Sequence, residues 1–102
     1  MKHSEILFVY GTLKNPKIQK EVIGRIVGGI HEVVEGYKLS KIKLEDKFYP
    51  IAVPRKDEYL EGLVLYITTE ELKLIDEYEG KEYKRSKVRT ILFPRYTWLY
   101  HR

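Results

Sequence analysis

The sequence predicts an α+β fold: a mixed, largely antiparallel, barrel-like sheet with two short helices. Two observations carry this. β-prone runs outnumber helical ones, and they run strand, helix, several strands, helix, two strands rather than in strict alternation. That order argues against a doubly wound parallel sheet. Size is the third observation: 102 residues fit one domain, residues 1–102, and 43% hydrophobic content suffices for a core.

Ile6 to Tyr10 is a continuous apolar run ended by Gly11, which reads as a strand buried on both faces. Pro16 suits the first turn of a helix over Lys17 to Ile26, with Ile18, Val22, Ile23 and Ile26 as the apolar set. Gly28-Gly29 breaks it. Ile30 to Leu39 alternates as a strand, with room for a bend at Gly36. Lys41 to Lys47 is charged and reads as loop. Tyr49 to Pro54 is bracketed by prolines, so it reads as an edge or irregular strand. Leu60 to Ile67 is a strong strand. Thr68-Thr69-Glu70-Glu71 starts the second helix, because a threonine cap and early acids satisfy free N–H groups and suit the dipole. That helix runs to about Glu79 and Gly80 stops it. Tyr83 to Phe93 and Tyr96 to Tyr100 are the final strands, around Pro94.

Composition removes several functions. There is no cysteine, hence no disulfide framework, thiol nucleophile or thiolate metal site. Met1 to Val9 is too short and polar for a signal peptide, and no apolar run has the length of a membrane span. A cytoplasmic protein without a membrane partner is the expectation. His3, His31 and His101 are far apart, which argues against a metal site. No phosphate-loop, dinucleotide or nucleophile-elbow pattern occurs, so no cofactor is expected. Lys and Glu are abundant while Asn and Gln occur once each, a balance seen in thermophilic proteins. The net charge of +4 invites a nucleic-acid reading, but the basic residues are dispersed. The densest stretch, Lys81 to Arg89, includes Glu82 and reads as a solvated strand face rather than a phosphate track.

One carboxylate breaks the pattern. With Leu72 at 0° on a helical wheel, Ile75 falls at about 300°, Tyr78 at about 240° and Leu74 at about 200°, an arc expected to face the core. Glu79 falls at about 340°, between Leu72 and Ile75, on the edge of that arc. Glu71, at about 260°, interrupts the arc too, but in the first turn, where acids cap. Burial and the negative end of the helix dipole would both raise the Glu79 pKa, as a proton carrier near neutral pH requires. The plain alternatives are an ion pair between Glu79 and a cation such as Arg85, or a frayed helix end. A second feature is Tyr10-Gly11-Thr12-Leu13 after the first strand. A glycine there allows close approach to the backbone, and consecutive N–H groups can hold a carboxylate or oxyanion. Most such turns carry glycine for no functional reason.

Together these segments resemble the gamma-glutamylcyclotransferase-like, or AIG2-like, family. The matching pieces, in order, are Phe8 to Lys14, Tyr49 to Pro54, Glu61 to Tyr66, Leu74 to Gly80 with Tyr83 and Arg85, and Trp98 to Tyr100. The resemblance implies the family's mixed barrel flanked by helices. It implies a pocket in which backbone amides of Tyr10, Gly11, Thr12 and Leu13 hold a gamma-glutamyl group, with Glu79 as general acid/base and Tyr83 as a pocket aromatic. The implied reaction cyclises a small-molecule gamma-glutamyl amine or peptide to 5-oxoproline and releases the amine, with no metal or cofactor. Two other readings stay open: a non-catalytic small-ligand binding module on the same fold, and a basic nucleic-acid-binding protein. A monomer and a weak homodimer both fit the sequence.

Overall fold

The structure is a computed structural model that describes residues 4–102. His3, weighed above as a metal ligand, and the start of the N-terminal stretch lie outside the described residues. In chain order the elements are β1 (Glu5–Val9), a 3-10 turn (Thr12–Lys14), α1 (Pro16–Ile23), β2 (Ile30–Leu44), β3 (Lys47–Ile67), α2 (Thr69–Glu79), β4 (Lys84–Arg89) and β5 (Tyr96–His101). The strands form one sheet in the order β2-β3-β1-β5-β4. β1–β3, β2–β3 and β4–β5 are antiparallel, whereas β1–β5 and the Ala52–His101 contact of β3 with β5 are parallel. A bridge between Val34 and Thr90 joins the end of β4 back to β2, so the sheet curls toward closure. The α+β class and the mixed, largely antiparallel, barrel-like sheet are as the sequence predicts.

β1 is the axis of the molecule. Its alternate side chains point to opposite faces. Leu7 and Val9 join Leu65, Ile67, Leu72 and Ile75 in a core under α2. Phe8 and Tyr10 join Val34, Leu60, Val64 and Leu99 in a second core within the curl of the sheet. A strand buried on both faces must be apolar throughout, which is what Ile6 to Tyr10 provides. Gly62 lets β3 lie this close: a Cβ there would sit 2.3 Å from the Val9 carbonyl oxygen and 2.8 Å from the Phe8 ring.

Four expected element bounds need correction. α1 ends at Ile23, not Ile26, because Gly24 adopts φ 80 and its N–H closes on the Lys20 carbonyl; Ile26 is left exposed outside the helix. Lys41 to Lys47 is not a loop but the two arms of a hairpin, with only Glu45 and Asp46 at the turn and Glu45 at φ 58. Most of this arm is open to solvent, so a charged sequence can form a ladder there. The two predicted segments 49–54 and 60–67 belong to the single 21-residue β3. The register jumps from the Glu35–Tyr59 pair to the Tyr37–Pro54 pair, so β3 bulges at residues 55–58, where Asp57 takes φ 66 opposite Gly36 at φ 91. Finally, the strand expected over Tyr83 to Phe93 is shorter, because the Thr90 N–H donates to the Arg95 carbonyl and closes a turn over residues 90–95.

α2 starts and stops as expected. Thr68 and Glu71 form a reciprocal capping box, and Gly80 follows Glu79. Its buried arc is rotated from the predicted one. Leu74 and Tyr78 are exposed, whereas Glu71, Leu72 and Ile75 face inward. Glu71 can be buried because Arg25 grips it with two hydrogen bonds of 2.5 and 2.8 Å.

Candidate active site

The end of α2 and the turn after β1 meet across one cleft of about 630 Å³. Tyr10, Gly11, Thr12, Leu13, Glu79 and Tyr83, the six residues singled out in the sequence, all line it. Glu79 is brought there by the capped helix, whose length places this last residue over the C-terminal end of β1. Its carboxylate is partly buried, and burial raises its pKa from 4.5 to about 7. Among the described residues it has no ion-pair partner. The alternative of a Glu79–Arg85 pair is therefore not what forms.

Arg85 is engaged elsewhere. It donates to both carboxylate oxygens of Asp76, at 2.7 and 3.0 Å, and Tyr100 donates its hydroxyl to the same group at 2.6 Å. Burial alone would raise the Asp76 pKa; Arg85 and Tyr100 outweigh it and hold the carboxyl below its usual range. Two acids one helical turn apart thus take opposite characters. Asp76 is a fixed anion, and Glu79 is an acid poised near neutrality.

The turn opposite is held from below. The Tyr10 hydroxyl donates to the Tyr100 carbonyl at 2.6 Å and accepts from the Ala52 N–H at 2.9 Å. Burial, and then the nearby Glu79, push its pKa well above the ordinary phenol value. The Tyr10 side chain is thus an anchor, and what the segment offers a ligand is main chain. In the 3-10 turn, Lys14 and Asn15 donate to the carbonyls of Gly11 and Thr12. The Thr12 and Leu13 N–H groups, first in that turn, have no acceptor within it. Thr12 Oγ1 and the Tyr78 hydroxyl lie 2.7 Å apart and link the turn to α2. Gly11 has an ordinary φ of −122, so its value is steric. A Cβ there would lie 2.8 Å from Pro50 Cγ, so the hairpin arm, more than any ligand, is what closes on Gly11.

Tyr83 donates to the Pro50 carbonyl at 2.8 Å, and burial followed by Glu79 pushes its pKa up to about 12. It ties β4 to the hairpin arm that supplies Leu44, Glu45, Tyr49 and Pro50 to the cleft wall. Those four residues, together with Glu82, escape a sequence reading. They reach the site only through the fold-over of the β2–β3 hairpin and the short turn after α2, and no local pattern announces either. Among the described residues no group of three or more His, Asp or Glu side chains could hold a metal ion, and no helix is long and apolar enough to cross a membrane.

The family described as gamma-glutamyl cyclotransferase, AIG2-like, matches residues 7–102. The chain belongs to this family. Among AIG2-like relatives, AIG2-like protein C of Arabidopsis thaliana is 34% identical over 87 residues, covering 84% of this chain and 49% of that protein. AIG2-like protein D of the same plant is 32% identical over 87 residues, with 84% and 56% coverage. The AIG2-like chain thus spans about half the length of the curated relatives it matches. Its fold is similar to that of a solved gamma-glutamyl cyclotransferase, with a TM-score of 0.81 at 13% identity, covering 95% of this chain and 65% of that one. A Pyrococcus horikoshii protein of solved structure gives 0.71 at 24% identity, covering 96% and 77%. At these identities the two structures speak to the AIG2-like fold alone.

Proposed function

We propose that this chain is an enzyme that cyclises a gamma-glutamyl amide to 5-oxoproline and releases the amine. The observation that carries the reading is Glu79: a partly buried carboxyl with a pKa raised to about 7, unpaired among the described residues, sharing a cleft with the main chain of the 10–13 turn. Family membership supports it.

In this reaction the substrate's α-amine attacks its own γ-carbonyl carbon. A carbon–nitrogen bond forms to close the five-membered lactam, and the bond to the leaving nitrogen breaks. The bound α-ammonium carries three protons and the lactam nitrogen keeps one, so two must reach the departing amine. Glu79 as carboxylate takes one proton from the attacking nitrogen and, now neutral, gives it to the leaving nitrogen; restored as carboxylate, it carries the second proton the same way. A pKa near the working pH suits both halves of that transfer. The Thr12 and Leu13 N–H groups receive the negative charge of the substrate or of the developing oxyanion. Nucleophile and electrophile already belong to one molecule, so the protein's task is to fold the substrate and move protons.

The test is turnover of a panel of gamma-glutamyl dipeptides and amines, read as 5-oxoproline by mass, for the parent and for Glu79→Gln. Release by the parent and none above background by the variant is expected. A blank panel with tight ligand binding would instead establish a non-catalytic binding module.

A further inference from the structure

Tyr78 is a large aromatic residue, 44% exposed, that stands on α2 immediately before Glu79. Its hydroxyl is nonetheless engaged, 2.7 Å from Thr12 Oγ1, and both residues line the cleft. The two pieces of the site that this contact joins are each weakly held by their own element. Glu79 is the last residue of α2, and helix ends fray. Thr12 opens a single turn of 3-10 helix, which has few internal hydrogen bonds. Other ties on that turn lead away from α2. Tyr10 anchors its start to Tyr100 and Ala52. Gln19, 1% exposed, donates to the Leu13 carbonyl at 2.8 Å and accepts from the Val27 N–H at 2.8 Å. Among the described residues the Thr12–Tyr78 contact is the one hydrogen bond between the turn and α2.

We propose that Tyr78 is a positioning residue: through Thr12 Oγ1 it clasps the turn that presents the Thr12 and Leu13 N–H groups to the helix end that carries Glu79. This rests on the cyclisation reading given above. The reaction needs its proton carrier and its anion-holding donors at a fixed separation, on either side of one folded substrate. Tying residue 78 to residue 12 fixes the backbone next to Glu79 and, with it, the position of those donors. Their alignment matters most when charge develops on the oxygen, so the clasp acts on kcat more than on KM. It carries no charge, and burial is what raises the Glu79 pKa, so the clasp sets geometry and leaves that acidity alone.

The experiment uses whichever gamma-glutamyl dipeptide or amine of the panel the parent turns over fastest. kcat, KM and the pH profile are measured for the parent, Tyr78→Phe, Thr12→Val and the double variant, with thermal unfolding of each. Tyr78→Phe removes one oxygen from an exposed rim, so its Tm is expected to match that of the parent. Its kcat is expected to fall roughly tenfold, with KM changed by less than about twofold and the acid limb unmoved. Thr12→Val is expected to lose a similar factor, and the double variant no more than either single one, because all three lack the same bond. Thr12→Ser, which keeps the hydroxyl, is expected to recover most of what Thr12→Val loses. Should Tyr78→Phe misfold, the comparison of Thr12→Val with Thr12→Ser carries the same test. A parent-like kcat in Tyr78→Phe, or losses that multiply in the double variant, overturns the clasp while leaving the cyclisation intact. A loss of kcat that only follows a fall in Tm, or a displaced acid limb, overturns it as well. No turnover by the parent of any member of the panel overturns the cyclisation and the clasp with it.

Discussion

Arg85 closes on Asp76 with two hydrogen bonds and leaves Glu79, one helical turn further on, outside the pair. Of these two acids only Asp76 has a cation partner. That fixes which acid is permanently charged and which can exchange protons. Tyr100 reinforces it by donating to the Asp76 oxygen that Arg85 Nε also contacts.

This arrangement makes the stability of the protein depend on pH through Glu79. Its folded pKa is about 7 against an ordinary 4.5, so its contribution is full below the ordinary value and is lost as pH rises through 7. Glu79→Gln does not titrate. Allowing for partial exposure, the stability of the variant relative to the parent should rise by roughly 1–2 kcal/mol between pH 5 and pH 8. Urea unfolding at the two pH values measures this, and a difference that does not change with pH contradicts the burial of the carboxyl.

The same group should set the acid limb of activity. If Glu79 begins the cycle as the base, kcat/KM rises with pH through an apparent pKa near 7. A limb near 4.5 would mean that the carboxylate works fully solvated.

Asp76→Asn tests the division of labour between the two acids. The amide cannot hold Arg85 as an ion pair, and residues three apart on a helix are neighbours, so Glu79 competes for the freed guanidinium with Glu5, whose charge already acts on it. The expected outcome is a loss of about 1–3 kcal/mol of stability and an acid limb displaced below pH 7. A destabilised variant whose limb stays at 7 would show that Arg85 cannot reach across.

Gly11→Ala should cost about 1–3 kcal/mol, because the new methyl lies 2.8 Å from Pro50 Cγ and must displace the hairpin arm. Combining it with Pro50→Ala, which removes the offending atom, should recover most of that cost. A thermodynamic cycle of the four proteins gives the coupling, and strict additivity would mean that the ring is not what excludes a side chain at position 11.

Much of this fold can be read from residues whose local chemistry agrees with their place. The apolar run of β1, the Thr68 cap, the Gly80 stop and the inward Glu79 are all visible as patterns, because each depends on neighbours within a turn or two. The hairpin arm is not. Pro50 and Pro54 look like breaks and Lys41 to Lys47 looks like loop, since strand propensity is a statement about half-buried surface and this arm has little. Glu71 caps as its place in the first turn suggests, but the Arg25 pair that lets it sit inside is a long-range contact that no window on α2 contains. The turn at 10–13 was visible, but the role of its glycine was not: the Pro50 ring that crowds it lies 39 positions away in the chain.

The bridge from Val34 to Thr90 joins β2 to the chain just after β4 at one point. Among the described residues the outer edge of β4 and the outer rim of the β2 arm, beyond Gly36, have no strand neighbour. Lys38, Lys41 and Lys43 stud that rim, with Lys47 at the tip. Mutual repulsion between such rims disfavours edge-to-edge growth into fibrils, so the lysine-rich arm guards solubility while its other flank shapes the cleft.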